Sequence, residues 1–397
     1  MDYFSLSSNF LYFAFILFII ATIFFGATIG NKRSENTKSK ATKFAMILTI
    51  IGFLAQLTSF IFRWIASGHT PVGNMFEFIS FFGMCIILAF IIIYFIYRET
   101  TLGLIALPIT IIIIGYGSMF PREITPLVPS LKSHWLYIHV TLAALGEAIF
   151  AISFVAGLIY LIAKIDQSKR SKQTFWLETI MYSIMATIAF IILTMSFQAF
   201  GTETQFSYEN NDGQTLKTTY IYPVLFEPHN STLLTEDAFT TGIEVPSWMR
   251  GADAGRKFNT LVWSLLGGAV LYLLTRLITR KRIAASIQPW LKRVNLGRID
   301  EIIYRSVAIG FPVFTLGALI FAAIWAQQAW GRFWGWDPKE VWALITWFFY
   351  AAFLHLRLTR GWHGEKSAWL AVIGFIIIMF NLIVVNLVLA GMHSYAQ

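Results

Sequence analysis

Long apolar runs broken by short polar stretches set the pattern of this chain. A helix rising 1.5 Å per residue needs about 20 apolar residues to cross ~30 Å of hydrocarbon. Ten runs approach that length, at roughly 10–30, 44–65, 74–97, 102–119, 135–163, 174–196, 259–279, 305–327, 341–357 and 367–390. The fourth, TLGLIALPITIIIIGYGSMF, carries Pro108, which a span tolerates where neighbouring helices satisfy the freed carbonyl. The pattern predicts an all-α polytopic membrane protein of about ten transmembrane helices. Three segments stand apart. Residues 197–258 are polar and include SYENNDGQTLKTTYIYP, which alternates like a small hairpin. Residues 280–304 are basic and read as an amphipathic helix lying on the membrane surface. Residues 326–340 have an unusual composition, taken up below. The expected organisation is an N-terminal bundle of about six helices (1–196), a small loop domain (197–258) and a C-terminal bundle of about four helices (259–397).

Composition narrows the class. Of 397 residues, 57% are hydrophobic, 17% aromatic and only 13% charged, and the mean hydropathy is +0.65. A soluble domain is nearer a quarter charged, so a soluble enzyme, a disordered chain and a disulfide scaffold are excluded. The single cysteine, Cys85, lies in an apolar run and rules out an internal disulfide or a CxxC redox or zinc motif. No positive segment precedes the first apolar run, so no cleavable signal peptide is expected.

The net charge of +9 would suit a nucleic-acid partner, but its distribution points elsewhere. Of the 30 Lys and Arg, 21 fall on one alternating set of loops, eight of them between Arg276 and Arg305. Cytoplasmic loops collect Lys and Arg. That set is therefore assigned to the cytoplasm, with both termini and the 197–258 domain extracytoplasmic. Membrane lipid, and no nucleic acid, is the expected surrounding partner.

The stretch WAQQAWGRFWGWDPKEVWALITW holds Trp325, Trp330, Trp334, Trp336, Trp342 and Trp347. Trp favours membrane interfaces, and an aromatic belt accounts for Trp325 and Trp347 near helix ends. It does not account for the crowding from Trp330 to Pro338. Gly331 and Gly335 permit close approach of the backbone to a ligand. Asp337 before Pro338 is placed to cap a helix starting near Lys339. Indoles on a Gly-rich turn suit a large planar apolar ligand. Belt and planar-ligand site both stand at this point.

WGRFWGWDPKEVW closely resembles the WWD signature of the heme-handling proteins of cytochrome c biogenesis. With RWIASGHTPVGNMFEF at 63–78, WLYIHV at 135–140, YAAFLHLR at 350–357 and GMHSYA at 391–396, the chain resembles the CcsA/ResC family of the system II cytochrome c synthetase over most of its membrane part. Gly73 stands where that family often has Ser, and Phe76 where Tyr is common. The 197–258 loop carries no matching motif.

The resemblance implies a heme b site formed by Trp330, Gly331, Trp334, Gly335, Trp336, Asp337 and Pro338, with His139 and His393 as axial iron ligands. Taken as residues, these are two histidines at the outer ends of their spans, flanking the tryptophans in sequence. Neutral imidazole ligates iron well; the alternative is two interfacial histidines facing water. His355, inside the ninth span, shares a helical face with Trp347, Phe348, Ala351 and Ala352, and an ionisable group there is a functional candidate. The resemblance makes it a ligand of a deeper heme whose other ligand comes from a ResB/CcsB-type membrane subunit. His69 matches a family motif position and is a candidate for shaping the outer site. His134, His229 and His363 read as solvated loop residues. Glu77 and Glu147 lie in or near spans and are expected neutral or paired, Glu77 with an Arg such as Arg63. Arg332 and Lys339 are candidates for pairing with heme propionates, or are ordinary interface cations.

The implied activity is that of a holocytochrome c synthase subunit of heme lyase type in the plasma membrane. Heme is carried outward and presented beneath the tryptophan loop on the extracytoplasmic side, and thioether bonds form to the CxxCH motif of apocytochrome c. No nucleophile or general base is identifiable. Two other readings are open: a b-type cytochrome, although no span has two His spaced 13–14 residues apart, and a transporter of heme or another solute, although no inverted repeat is evident.

Overall fold

The computed structural model describes residues 2–30, 40–124, 132–201, 203–209, 214–235, 240–249 and 253–386. Among these, nine helical stretches are long and apolar enough to cross a membrane. The helices are α1 (Tyr3–Gly30), α2 (Lys40–Ser67), α3 (Met75–Tyr97), α4 (Thr101–Gly117), α5 (His134–Lys164), α6 (Lys172–Phe200), α7 (Ala254–Thr279), α8 (Ile283–Ile287), α9 (Leu296–Phe314), α10 (Ala322–Trp330), α11 (Pro338–Arg360) and α12 (Glu365–Phe380). A π-helical segment, Thr315–Phe321, joins α9 to α10, so that Leu296–Trp330 is one continuous span. A second π segment, Asn381–Val385, extends α12. The Pro108 helix, α4, is apolar but short, at 17 residues. The fold is thus a helical, multi-pass membrane protein, with each expected span matched by a helix.

The chain forms two compact units. The first combines residues up to 166 with those from 287 onward. Its central helix is α5, which is apolar around most of its circumference, as a helix enclosed by others must be. Ala144, Ala148, Phe150, Ala151, Ile152, Val155 and Ile159 are fully buried. Small residues let α9 approach α5 at backbone distance, which drives helix association in a membrane. A Cβ added at Gly146 would lie 2.7 Å from the Phe314 nitrogen, and one at Gly310 would lie 3.2 Å from the Gly146 carbonyl. Ser153 Oγ donates to the Ile303 carbonyl at 3.1 Å across the same contact.

Two ion pairs tie helices of this unit together. Arg63 Nε donates to Glu77 Oε1 at 2.7 Å, with both side chains buried. Glu77 Oε2 also accepts from the Gly73 N–H, and the Glu77 N–H is capped by Asn74 Oδ1 at the start of α3. The expected Arg63–Glu77 pairing is therefore present, and it explains why GHTPVGNMFEF is polar at Asn74 and Glu77. A second pair was not anticipated. Arg357 grips Asp300 through two hydrogen bonds of 2.6 and 2.8 Å, and Asp300 also accepts from the Gly364 N–H.

That second pair bears on the basic segment 280–304. Instead of one surface helix there is the short α8, then a 3₁₀ turn, Gln288–Leu291, then Asn295 capping α9. Residues 296–304 are the first turns of the span, held there because Asp300 is tied to Arg357.

The second unit, 167–286, is built on α6 and α7, which run antiparallel. Tyr182 Oη donates to the Leu265 carbonyl, and Gly268 meets the Ala186 backbone. Between them lie β1 (Thr204–Glu209), β2 (Thr215–Tyr220) and β3 (Ser231–Leu233) in an antiparallel sheet of order β2-β1-β3. β1 and β2 are the expected hairpin. Phe206, Tyr220 and Val224 form its small core. Asn259 and Trp263 of α7 bond to the backbone of residues 223–226 and fasten the loop to the helix. Burial pushes the Tyr222 phenol up to about 12, against the opposing effect of its hydrogen bond with Thr194.

Candidate functional site

The first helical turns of α5 carry His139, and two features of the chain hold its ring. Nδ1 lies 2.9 Å from the Gly317 carbonyl, in the π-helical segment. A carbonyl only accepts, so Nδ1 carries the proton and Nε2 carries the lone pair. The ring face stacks on Trp325, with centroids 5.7 Å apart and planes inclined by 15°. Trp325 in turn meets Trp330 edge-on at 4.7 Å. It is 2% exposed, so it faces the His139 ring and not the surroundings of the bundle.

Two more contacts fix α5 against α10 and the π-helical segment that precedes it. Ser133, the N-cap of α5, donates to Gln328, and Trp135 stacks on Phe321 at 5.7 Å. The sequence pattern contained no signal for Gly317, Ser133 or Gln328. Their roles belong to a backbone carbonyl and to side chains brought together only by folding.

The run of six tryptophans divides between helix and loop. Trp325 and Trp330 lie in α10, Trp342 and Trp347 in α11, and Trp334 and Trp336 in the connection between them. Gly331 ends α10 in the left-handed region, at φ +71°. Trp336 is also left-handed, at φ +57°, and 69% exposed. That backbone conformation is costly for a bulky residue and clusters at functional sites. Trp334 and Trp336 meet edge-on at 6.0 Å. The Trp334 indole N–H is buried without a hydrogen-bond partner among the described residues.

Asp337 caps α11, and Pro338 is its first residue, as expected. Glu340, which the sequence reading passed over, completes a capping box and ties the loop down. Its Oε2 accepts from the Gly335 N–H at 2.7 Å and the Asp337 N–H at 3.2 Å. The Asp-Pro-Lys-Glu spacing was the available signal. The Arg332 guanidinium folds back over Gly335, where an added Cβ would meet it at 2.8 Å. Lys339 Nζ lies over the Phe78 ring at 5.9 Å and interacts electrostatically with Glu147, two turns along α5 from His139.

The other expected site residues sit as follows. His393 lies outside the described residues. His69 is half-buried; its Nδ1 is 3.0 Å from the Thr70 carbonyl, and its Nε2 is buried with no partner among the described residues. His355 is exposed on α11, on the same face as the exposed Phe348 and Ala352. Of the three remaining histidines, His134 is exposed, His229 pairs with Glu244 at 2.9 Å, and His363 lies 4.0 Å from Asp300.

Among the described residues no three His, Cys, Asp or Glu side chains gather into a metal cluster. A heme asks for less, because the porphyrin supplies four ligands and the protein only axial ones. The donor set suits it: an imidazole with its lone pair on Nε2, an indole stacked on that ring, and, on the connection, an exposed indole and a buried indole N–H suited to an acceptor.

These features define a multi-pass helical membrane protein in which an oriented histidine packs on the tryptophan-bearing helix that leads into a tryptophan-rich connection. Residues 72–199 and 260–393 match the cytochrome c assembly protein family. The chain is 30% identical over 338 residues to the cytochrome c biogenesis protein CcsA of Microcystis aeruginosa, covering 84% of this chain and 81% of that protein. It is 28% identical over 387 residues to CcsA of Gloeobacter violaceus, covering 96% and 94%, and 30% identical over 387 residues to CcsA of Prochlorococcus marinus, covering 96% and 92%. The chain belongs to the CcsA/ResC family of cytochrome c assembly proteins.

Proposed function

We propose that this chain is the heme-handling subunit of a cytochrome c synthetase. Within the role in cytochrome c maturation that its family defines, it holds heme b as substrate at the His139 end of α5 and presents it for thioether attachment to the CxxCH segment of apocytochrome c. The observation that carries the reading is the double restraint on His139, a hydrogen bond to the Gly317 carbonyl and a stack on Trp325.

His139 and His393 are the proposed axial ligands. Trp330, Gly331, Trp334, Gly335, Trp336, Asp337 and Pro338 form the proposed cradle, with His69 at its edge. Arg332 and Lys339 offer positive charge, and Trp334 an N–H, to the carboxylates of the substrate. Heme supplies the iron and the two vinyl groups, and the apocytochrome supplies the thiols. This chain contributes orientation, which converts an improbable encounter into a near-intramolecular one. It provides no nucleophile or base. His355 is proposed as half of a second, deeper site completed by a ResB/CcsB-type subunit. The Lys and Arg bias supports an orientation with the tryptophan loop on the extracytoplasmic side, and the plasma membrane is the proposed location.

The test is an absorption spectrum of the purified complex. Bis-His heme bands are expected in the native protein and are diminished in His139→Ala and His393→Ala, with partial return on adding imidazole. Undiminished bands and thioether formation in both variants would falsify the assignment.

A further inference from the structure

We infer that the π-helical segment Thr315–Phe321 is the device that orients His139, with Gly317 as its positioning residue. The inference rests on the proposed role of His139 as an iron ligand and adds what sets the ligand's tautomer and angle. π-helical turns are rare and concentrate at functional sites, and this one bears on the only ring nitrogen of His139 that can donate to it.

The wider turn changes the use of one carbonyl. In an α-helix the Gly317 oxygen would accept from the N–H four residues on. Here it accepts from Ala322, five residues on, and its second lone pair takes His139 Nδ1–H at 2.9 Å. Reaching that oxygen requires backbone contact between α5 and the segment. A Cβ at position 317 would lie 2.3 Å from the Ala143 nitrogen and 2.5 Å from the Leu142 carbonyl carbon, and backbone cannot yield as a flexible side chain can. Glycine is therefore required there for proximity; positive φ is not the reason, since Gly317 is not among the left-handed glycines.

Both ends of the segment are pinned. Thr315 Oγ1 accepts from Trp347 Nε1 at 2.9 Å, and Phe321 stacks on Trp135. The hydrogen bond thus fixes the ring's tautomer, and the Trp325 stack fixes its plane. Loss of such an outer partner costs a metal site about 10–100-fold in affinity.

The decisive variant deletes Ile320, whose side chain is 47% exposed. Removing one residue converts the π turn to an α turn while α9 and α10 retain their register. Gly317→Ala is a second variant that keeps the π length but opposes the approach. Two readouts apply. Nitrogen-15 NMR of the heme-free protein, at a pH where imidazole is neutral, is expected to show one His139 tautomer in the native chain and a mixture in the deletion. Heme affinity is expected to fall about 10–100-fold in the deletion. It should be restored when His139→Gly is added together with free imidazole, a ligand that needs no carbonyl to orient it. An unchanged tautomer and unchanged affinity in a folded deletion variant overturn the inference, even if His139→Gly alone abolishes heme binding. If His139→Gly alone leaves heme binding intact, the proposed site is wrong, and the tautomer measurement still decides whether the π segment orients the ring.

Discussion

At the start of α5 the His139 ring is restrained twice, on its Nδ1 edge by the Gly317 carbonyl and on its face by Trp325. On α11 the His355 ring is exposed, and among the described residues it makes no hydrogen bond; only its backbone carbonyl is engaged, by Thr359. Its neighbours on that side are lipid-compatible, with Phe348 58% and Leu358 68% exposed. The same imidazole is thus oriented in advance by this chain at one position and left on an outward face at the other. An ionisable group on an apolar face is costly unless something meets it. The contrast favours one site that this chain prepares and one that a second subunit completes.

The comparison breaks most sharply at the two histidines. His139→Ala is expected to abolish heme retention by the chain purified alone and to lower it in the assembled complex, whereas His355→Ala should lower it in the complex and leave it unchanged in the chain purified alone. Heme quantified per protein in both preparations checks this. Equal losses for the two variants in the isolated chain would mean that His355 is also served from within.

The next effect separates site from scaffold. Arg63 and Glu77 form a buried pair on α2 and α3, and removing one partner of such a pair costs about 3–5 kcal/mol. Glu77→Ala is expected to lower the thermal stability of the detergent-solubilised protein and its yield in membranes, with any remaining folded protein binding heme normally. Trp334→Ala combined with Trp336→Ala should do the reverse, cutting heme content several-fold with little change in melting. If both variants lose stability and heme in proportion, the tryptophan connection is part of the scaffold.

The two regions also differ in how far their sequence announced them. The ten expected spans were legible, because a span must be a long apolar run and nothing else in the chain resembles one. The Arg63–Glu77 pair was legible because a charge within a span calls for an opposite one. The hairpin followed from its alternation. The tryptophans and histidines stood out by composition, but their arrangement did not. Trp325 reads from sequence as an interfacial anchor, yet it is buried against His139. The carbonyl that holds His139 has no side chain to reveal it, and a π turn leaves no residue signature. Asp300 looked like part of a surface helix because its partner, Arg357, is remote in sequence and close only after folding. Local chemistry could be read; long-range placement depended on which backbones approach.

The smallest expected effects fall on the two glycines of the tryptophan connection, and they test whether that connection acts through its backbone or through its side chains. Gly331 is left-handed, and a Cβ there would meet nothing within 4 Å, so Gly331→Ala should show mainly as the backbone penalty, about 1–2 kcal/mol in melting, with a smaller loss of heme retention than Gly335→Ala. Gly335 is not among the left-handed residues, and its added Cβ would displace the mobile end of Arg332. Gly335→Ala should therefore leave melting within about 0.5 kcal/mol of native while reducing heme retention about 1.4-fold to fivefold, the order of one exposed charge contact at about 0.2–1 kcal/mol. Melting and heme titration measured side by side distinguish the two. If Gly335→Ala changes neither, Arg332 is an interface cation, and the positive charge offered to the substrate's carboxylates is left to Lys339, the cation already engaged with Glu147 on the helix that carries His139.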